Sequence, residues 1–271
     1  MLKKAVFLLL STLLLFSEVD PGHAVDAAKT ELKVGFVPGP YVDGFKAGIA
    51  PELKKKGYAI RYYEFSTGLE ANTAVFRNDI DANIMQHTVF LNSYNDRNKT
   101  DLAGIVQVPT PPMGLYSKKH PRDVAVKPGM TVVVPNDPVN LQRALKILRD
   151  LRWIDIRDSN PVDVTELDVV SNPSGIKIVP LENAQAPRAL PDVDFAAVQG
   201  NFAIYSGLKL TEAIALEKMT PPYINVVAVR RGNVEAPWAR DIVDAYHSDG
   251  FKTAIRSDRF HDGFRLPDYF N

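Results

Sequence analysis

Residues Pro135–Leu145 read PNDPVNLQRAL, and this segment decides how the chain is organised. The run before it, Met130–Val134 (MTVVV), is apolar and β-branched, which favours a strand ending at Pro135. A turn rich in Asn, Asp and Pro follows, and Asn140 opens a helix-prone apolar run, Leu141–Leu151. The unit is strand–turn–helix. It places Arg143 near the first turn of the helix, where a cation opposes the helix dipole. Free backbone N–H groups at the same helix end attract anions. Arg143 with those groups is a candidate receptor for a carboxylate, which a planar two-pronged donor would hold. From this segment alone, an Arg143 paired with Asp137 or solvated is the commoner case.

Moving outward, strands and helices alternate. Leu32–Val37, Tyr58–Phe65, Ala82–Met85, Gly104–Val108 and Met113–Ser117 read as strands, with helices expected over Gly44–Lys56, Leu69–Asn78 and Val89–Asn95. Beyond the central unit, Lys177–Pro180, Phe195–Val198 and Tyr223–Val229 are strand-like, Ala184–Leu190 and Asn201–Tyr205 are short helices, and Glu235–Arg256 is a long terminal helix or pair. Such alternation predicts an α/β fold with mainly parallel sheets and ligand sites where strands end. A new β–α series begins after Lys118-Lys119-His120-Pro121, which fits two lobes joined by two crossing segments.

The chain has 32 basic and 32 acidic residues, so its formal net charge is zero, and no block of like charge argues for nucleic acid or an anionic membrane surface as a partner. Lys3 and Lys4 precede the apolar run Ala5–Phe16, and Gly22-His23-Ala24 offers small residues at the two positions a signal peptidase reads. Residues 1–24 are therefore expected to be a cleaved signal peptide, with 25–31 a flexible arm. The apolar run is short for a membrane span. The sequence contains no cysteine, which excludes disulfides, thiolate metal sites, a Cys nucleophile and a lipid-modified cysteine within it.

Catalytic signatures are missing: there is no Gly-x-Ser-x-Gly elbow, phosphate loop, dinucleotide fingerprint or His-Glu-x-x-His. No two of His23, His87, His120, His247 and His261 have metal-site helical spacing, so no metal or cofactor is expected. Asp79 and Asp81 flank Ile80 before a buried strand and read as a solvated turn. Three polar residues sit oddly against apolar segments. Gln86-His87 follows Ala82–Met85, with Phe90 one helical turn later, so His87 is either a structural histidine or part of an apolar pocket wall. Asn201 follows Phe195–Val198 and Gly200, a place where Asn is commonly a helix cap. Asn225 lies inside the apolar strand PPYINVVAV and must find hydrogen-bond partners.

Together these segments resemble the NlpA/MetQ family, the methionine-binding lipoproteins of bacterial ABC importers. The matching stretches run in order: PGP at Pro38–Pro40, PELKKKG at Pro51–Gly57, EFS at Glu64–Ser66, DAN-x-x-QH at Asp81–His87, PMGLYSKK at Pro112–Lys119 and PNDP-x-N-x-x-RAL at Pro135–Leu145. LE-x-AQ-x-PRAL at Leu181–Leu190, VD-x-A at Val193–Ala196 and PY-x-N at Pro222–Asn225 complete the set, covering Leu32 to the C-terminal helix. The resemblance implies a two-lobed periplasmic-binding-protein (type II) fold, with 32–118 plus 226–271 as lobe 1 and 119–225 as lobe 2. It implies that Arg143 binds a ligand carboxylate, that Asn201 and Asn225 hold the carboxylate and amino group, and that His87, Met85 and Phe90 line a side-chain slot. The family usually has aromatic residues at the positions of Gly68, Met85 and Phe90, and commonly Asn at Gln199; Leu141-Gln142 also replace a Glu-Gly pair. The implied protein is a monomeric, non-enzymatic periplasmic component that captures methionine or a related apolar amino acid and closes for a cognate permease. Lacking cysteine, it is expected to carry no lipid anchor. A short peptide, a different amino acid, or a chemosensory role without transport fits the same residues. An enzyme would have to rest on His87 with Asp81.

Overall fold

A computed structural model describes residues 29–157, 165–257 and 263–271. The expected signal peptide, the first residues of the arm, His23 and His261 lie outside them.

The described residues open with β1 (Glu31–Phe36). A helical segment follows as α1 (Tyr41–Gly44), a π-helical stretch Phe45–Ile49, and α2 (Ala50–Lys55). Then come β2 (Ala59–Glu64), α3 (Gly68–Phe76), β3 (Ala82–His87), α4 (Thr88–Asn98), β4 (Leu102–Gln107) and β5 (Gly114–Tyr116). The central unit is β6 (Thr131–Pro135) and α5 (Pro138–Asp150). Beyond it lie a short hairpin of β7 (Asp155–Ile156) and β8 (Val169–Ser171), then β9 (Lys177–Leu181), α6 (Ala186–Ala189), β10 (Phe195–Val198), α7 (Gly200–Tyr205) and β11 (Ala215–Leu216). Then follow β12 (Asn225–Arg230), α8 (Pro237–His247) and α9 (Asp249–Ser257), and a single 3-10 turn, Asp268–Phe270, lies near the end of the described residues.

Two five-stranded sheets result, in the orders β2-β1-β3-β12-β4 and β11-β5-β10-β6-β9. β1 runs parallel to β2 and β3, and β6 runs parallel to β9 and β10. Each sheet also takes in an antiparallel strand, β12 in the first and β5 in the second. The chain crosses between the sheets twice, once between β4 and β5 and once between β11 and β12. This is the expected two-lobed α/β architecture with two crossings. Two boundaries differ from the expectation: β5 pairs with β10 and β11, so the first crossing lies near residues 108–113 and not at 118. Likewise Asn225 opens β12 in the first sheet. The hairpin β7–β8 and the strand β11 were not expected, because two- and three-residue strands carry no period to read.

Alternation within β6 shows why its run is apolar throughout. Val132 and Val134 pack with Leu141, Leu145 and Leu148 of α5, while Val133 faces the cluster containing Leu190 and Ala203. A strand covered on both faces needs no polar alternation. In the first lobe, Leu32, Val34 and Phe36 of β1 pack with Phe45 and Ile49 and with Trp238, Ile242 and Phe251 of the C-terminal helices. The C-terminal helices α8 and α9 therefore pack on the sheet that contains β1.

Candidate ligand-binding cleft

A cavity of about 320 Å³ opens between the lobes. The ends of β1, β3 and β12 reach it from the first lobe, and the start of α5 and α7 from the second. All eight sequence-predicted residues line it: Gly68, Met85, His87 and Phe90 on one side, Gln199, Asn201 and Arg143 on the other, with Asn225 at the second crossing.

The start of α5 differs from the expectation in an instructive way. The helix begins at Pro138, a residue suited to N1, and Asp137 caps it by accepting from the Asn140 N–H at 2.9 Å. Arg143 is therefore in the second turn, clear of the unfavourable end of the dipole, and the Asp137 cap occupies the helix end that was expected to help receive an anion. Nor does Arg143 pair with Asp137, whose carboxylate also accepts from Asn140 and Asn183 side chains. The partner of Arg143 is Glu217. Arg143 Nε donates to Glu217 Oε2 at 2.9 Å and Nη2 to Oε1, while Nη1 donates to Asn140 Oδ1 at 2.9 Å. The Met113 N–H also donates to Glu217 Oε1, at 2.6 Å. Burial works against the guanidinium charge, but the Glu217 charge and hydrogen bond outweigh it and hold the pKa above the ordinary value. An Arg has five N–H groups and, among the described residues, three are used, leaving one on each terminal nitrogen, the arrangement that grips a carboxylate end-on.

The polar neighbours are equally fixed. The Asn225 backbone N–H donates to Thr110 Oγ1 at 2.9 Å, and its Nδ2 donates to Tyr41 Oη at 2.8 Å. Burial keeps the Tyr41 phenol protonated, its pKa pushed well up. Asn201 is not a helix cap. It sits inside α7, and its Nδ2 donates across the cleft to the Pro38 carbonyl at 3.0 Å, linking the two lobes. Gly39 makes that approach possible: its φ is +146°, and a Cβ there would lie 2.7 Å from the Asn201 Cβ.

His87 is 3% exposed. Its Nδ1 accepts from the Phe90 N–H at 3.2 Å, which leaves the proton on Nε2, and its ring packs edge-on to Tyr223 at 4.9 Å. Tyr223 in turn donates to Gln142 Oε1 at 2.9 Å. His87 and Asp81 occupy opposite ends of β3, roughly 20 Å apart by strand rise, and Asp81 is tied to Lys29 and the Lys33 N–H. The pair that an enzyme would have needed does not form. Between them, Asn83 and Gln86 form a closed buried network with Asn72, so the DAN-x-x-QH motif holds the end of β3 in place.

Three shielded polar atoms that line the cleft have no hydrogen-bond partner among the described residues: His87 Nε2, Gln199 Oε1 and Asn183 Oδ1. Such atoms cost about 1–3 kcal/mol each when left unpaired, so their gathering in one cavity marks a binding site. Burial first, and the Arg143 charge second, hold the His87 pKa well below its ordinary 6.5. The unfolded chain therefore takes up a proton first as pH falls. The stability conferred by neutral His87 is present above about pH 6.5 and lost below it, with a slope of at most ~1.4 kcal/mol per pH unit. Thermal unfolding of the ligand-free protein between pH 7 and 5 should show a steeper loss in the wild type than in His87→Gln; equal slopes would contradict a buried neutral histidine.

Beside the polar end is an apolar slot. A Cβ added at Gly68 would lie 3.0 Å from Met85 Sδ and 3.5 Å from Phe90 Cε1, so the Met85 thioether fills the place a side chain at 68 would take. Met is flexible enough to give way. Gly68→Tyr is expected to push Met85 aside, shorten the slot and exclude bulky apolar ligands by tenfold or more, read by titration with ligands of graded size; an unchanged profile would show that residue 68 does not shape it.

Sequence reading missed Glu217, Tyr41, Thr110, Asn140 and Tyr223. Among the described residues, no group of three His, Cys, Asp or Glu is placed to hold a metal.

Residues 32–268 match the family model described as NlpA lipoprotein. The chain belongs to the NlpA lipoprotein family. Among relatives in that family, the D-methionine-binding lipoprotein MetQ of Salmonella typhi is 33% identical over 237 residues, covering 86% of this chain and 84% of its own. Lipoprotein 28 of Escherichia coli O157:H7 is 32% identical over 80% of this chain and 81% of its own. A nutrient binding protein from Burkholderia cenocepacia, solved bound to methionine, superposes with a TM-score of 0.81 at 34% identity, over 87% of this chain and 99% of that one. Lipoprotein Tp32 from Treponema pallidum superposes with a TM-score of 0.83 at 28% identity, over 88% and 100%. The two-lobed fold is thus the fold of NlpA-family binding proteins over nearly their whole length.

Proposed function

We propose that this protein is the substrate-binding component of an ABC importer and holds methionine, or a related apolar α-amino acid, between its lobes. One observation carries the reading: a buried Arg143, with two N–H groups not used by protein partners, shares a cleft with Asn201, Asn225 and an apolar slot of Met85 and Phe90. Methionine-binding relatives of the same fold support it.

In this reading Arg143 grips the ligand carboxylate, and His87 Nε2 adds a second donor, a role beyond the slot wall expected of it. Asn225, with Nδ2 used on Tyr41, offers its amide oxygen to the ammonium. Gln199 closes the side of the cleft, and Met85, Phe90 and the open position at Gly68 receive the side chain. The protein binds and does not catalyse. Lobe 1 comprises the residues before the first crossing together with β12, α8 and α9, and lobe 2 comprises the residues between the crossings. The lobes hinge about those crossings, and the permease reads the closed form. A short peptide is the second reading, favoured by the unpaired acceptors of Gln199 and Asn183, which suit added N–H groups. Titration calorimetry of ligand-stripped protein against the amino acids and dipeptides tests both. No heat with any of them would sink the proposal.

The location that fits is the periplasm or cell envelope. The relatives are named lipoproteins, whereas this sequence has no cysteine to carry a thioether-linked lipid, so we propose a periplasmic form without that lipid. Incorporation of labelled palmitate would refute it.

A further inference from the structure

We propose that Glu217 sets the charge the cleft accepts: by neutralising Arg143 inside a shielded ion pair, it makes the site select zwitterions over monoanions of the same shape. The inference rests on the amino-acid reading of the cleft.

The side chains of Arg143 and Glu217 are 6% and 8% exposed, so water screens neither. Glu217 is held by Arg143 Nε and Nη2 and by the Met113 N–H, at the junction of both crossing segments. The pair sums to zero before any ligand arrives. His87 adds no charge, since its Nδ1 is an acceptor and it carries a single ring proton. The other charged residues lining the cavity are Asp137, Glu182 and Arg97, which are half-buried or exposed and so are screened. Asp137 and Glu182 also serve as caps, accepting from the Asn140 and Ala184 N–H groups.

The consequence for a ligand follows directly. A zwitterionic amino acid brings a carboxylate to Arg143 and an ammonium to the neighbouring acceptors, and the buried floor stays neutral. A monoanion of the same shape leaves one uncompensated negative charge among Arg143, Glu217 and the ligand, and buried net charge is costly. Had Arg143 stood alone, the rule would be reversed, because a lone guanidinium is best balanced by a lone carboxylate. Glu217 is therefore a specificity-determining residue that acts through Arg143.

The test compares methionine with 4-(methylthio)butanoate, which keeps the side chain and carboxylate and lacks only the ammonium, by calorimetry of ligand-stripped wild type and Glu217→Gln. The expected result is a fall in the methionine-to-4-(methylthio)butanoate affinity ratio on the order of 30-fold or more in the variant. Equal weakening of both ligands would overturn the proposal and leave Glu217 as a holder of the Arg143 rotamer. Should Glu217→Gln not fold, the wild type decides: 4-(methylthio)butanoate is expected to bind at least ~30-fold more weakly than methionine. Binding of 4-(methylthio)butanoate within tenfold of methionine would overturn the rule. Absence of heat with every amino acid in the wild type would refute the amino-acid reading instead; the rule is then judged on the ligand released from the purified protein, and a net charge other than zero would overturn it.

Discussion

Arg143→Ala is expected to abolish useful binding, with a loss of about 2–5 kcal/mol, or roughly 30-fold to several thousand-fold in affinity. Two losses contribute. The ligand carboxylate loses its paired donors, and Glu217 is left buried without its cation. The second also lowers stability, by about 3–5 kcal/mol for a buried pair broken on one side. Calorimetry and thermal unfolding read the two separately. The double variant Arg143→Met, Glu217→Leu removes both charges, so it should regain most of the stability and none of the affinity. Wild-type affinity in Arg143→Ala would reduce Arg143 to a structural partner of Glu217.

The second large effect is expected at Gly39, far from the Arg143 end in sequence but on the line where the lobes meet. Its φ of +146° is strained for any side chain, and an added methyl group would lie 2.7 Å from Asn201 Cβ and 3.3 Å from its backbone. Backbone strain of this kind costs about 1–3 kcal/mol. The contact with Asn201 adds a cost that exists only when the lobes touch, and it displaces the Asn201–Pro38 hydrogen bond. Gly39→Val should therefore weaken binding on the order of 100-fold, more than its effect on the ligand-free melting temperature accounts for. Small-angle scattering should show the wild type contracting with ligand and the variant failing to contract. Equal contraction and affinity would mean that this contact does not limit closure.

The fold was legible because its signals are local. MTVVV ending at a proline, and an apolar run opening after Asp137 and Pro138, read as strand and helix without knowledge of the rest. Strand membership was less legible: Gly114–Tyr116 looks like a continuation of what precedes it, and only its pairing with β10 assigns it to the second sheet. Asn201, Asn225 and His87 stand out as polar residues against apolar segments, and Arg143 as a cation near a helix start. Their partners did not stand out. Glu217 lies 74 residues after Arg143 in an ordinary-looking loop, LEKM, and nothing local shows that its carboxylate is shielded. Pro38 accepts from Asn201 across 163 residues, and such contacts exist only once the lobes are assembled. The reading of Arg143 as awkwardly placed against the helix dipole came from starting the helix at Asn140, two residues late. The Asp137 cap and Pro138 at N1 extend it backward and resolve the difficulty.

What governs ligand choice is divided between the two ends of the cleft. The Arg143–Glu217 pair sets charge, and the flexible Met85 beside Gly68 sets how long and wide a side chain fits. The most direct test of the whole is mass spectrometry of the small molecules released when the purified protein is denatured. The account predicts a stoichiometric α-amino acid with an apolar side chain, methionine being the first candidate. Release of a ligand that has no carboxylate for Arg143 to hold would contradict it.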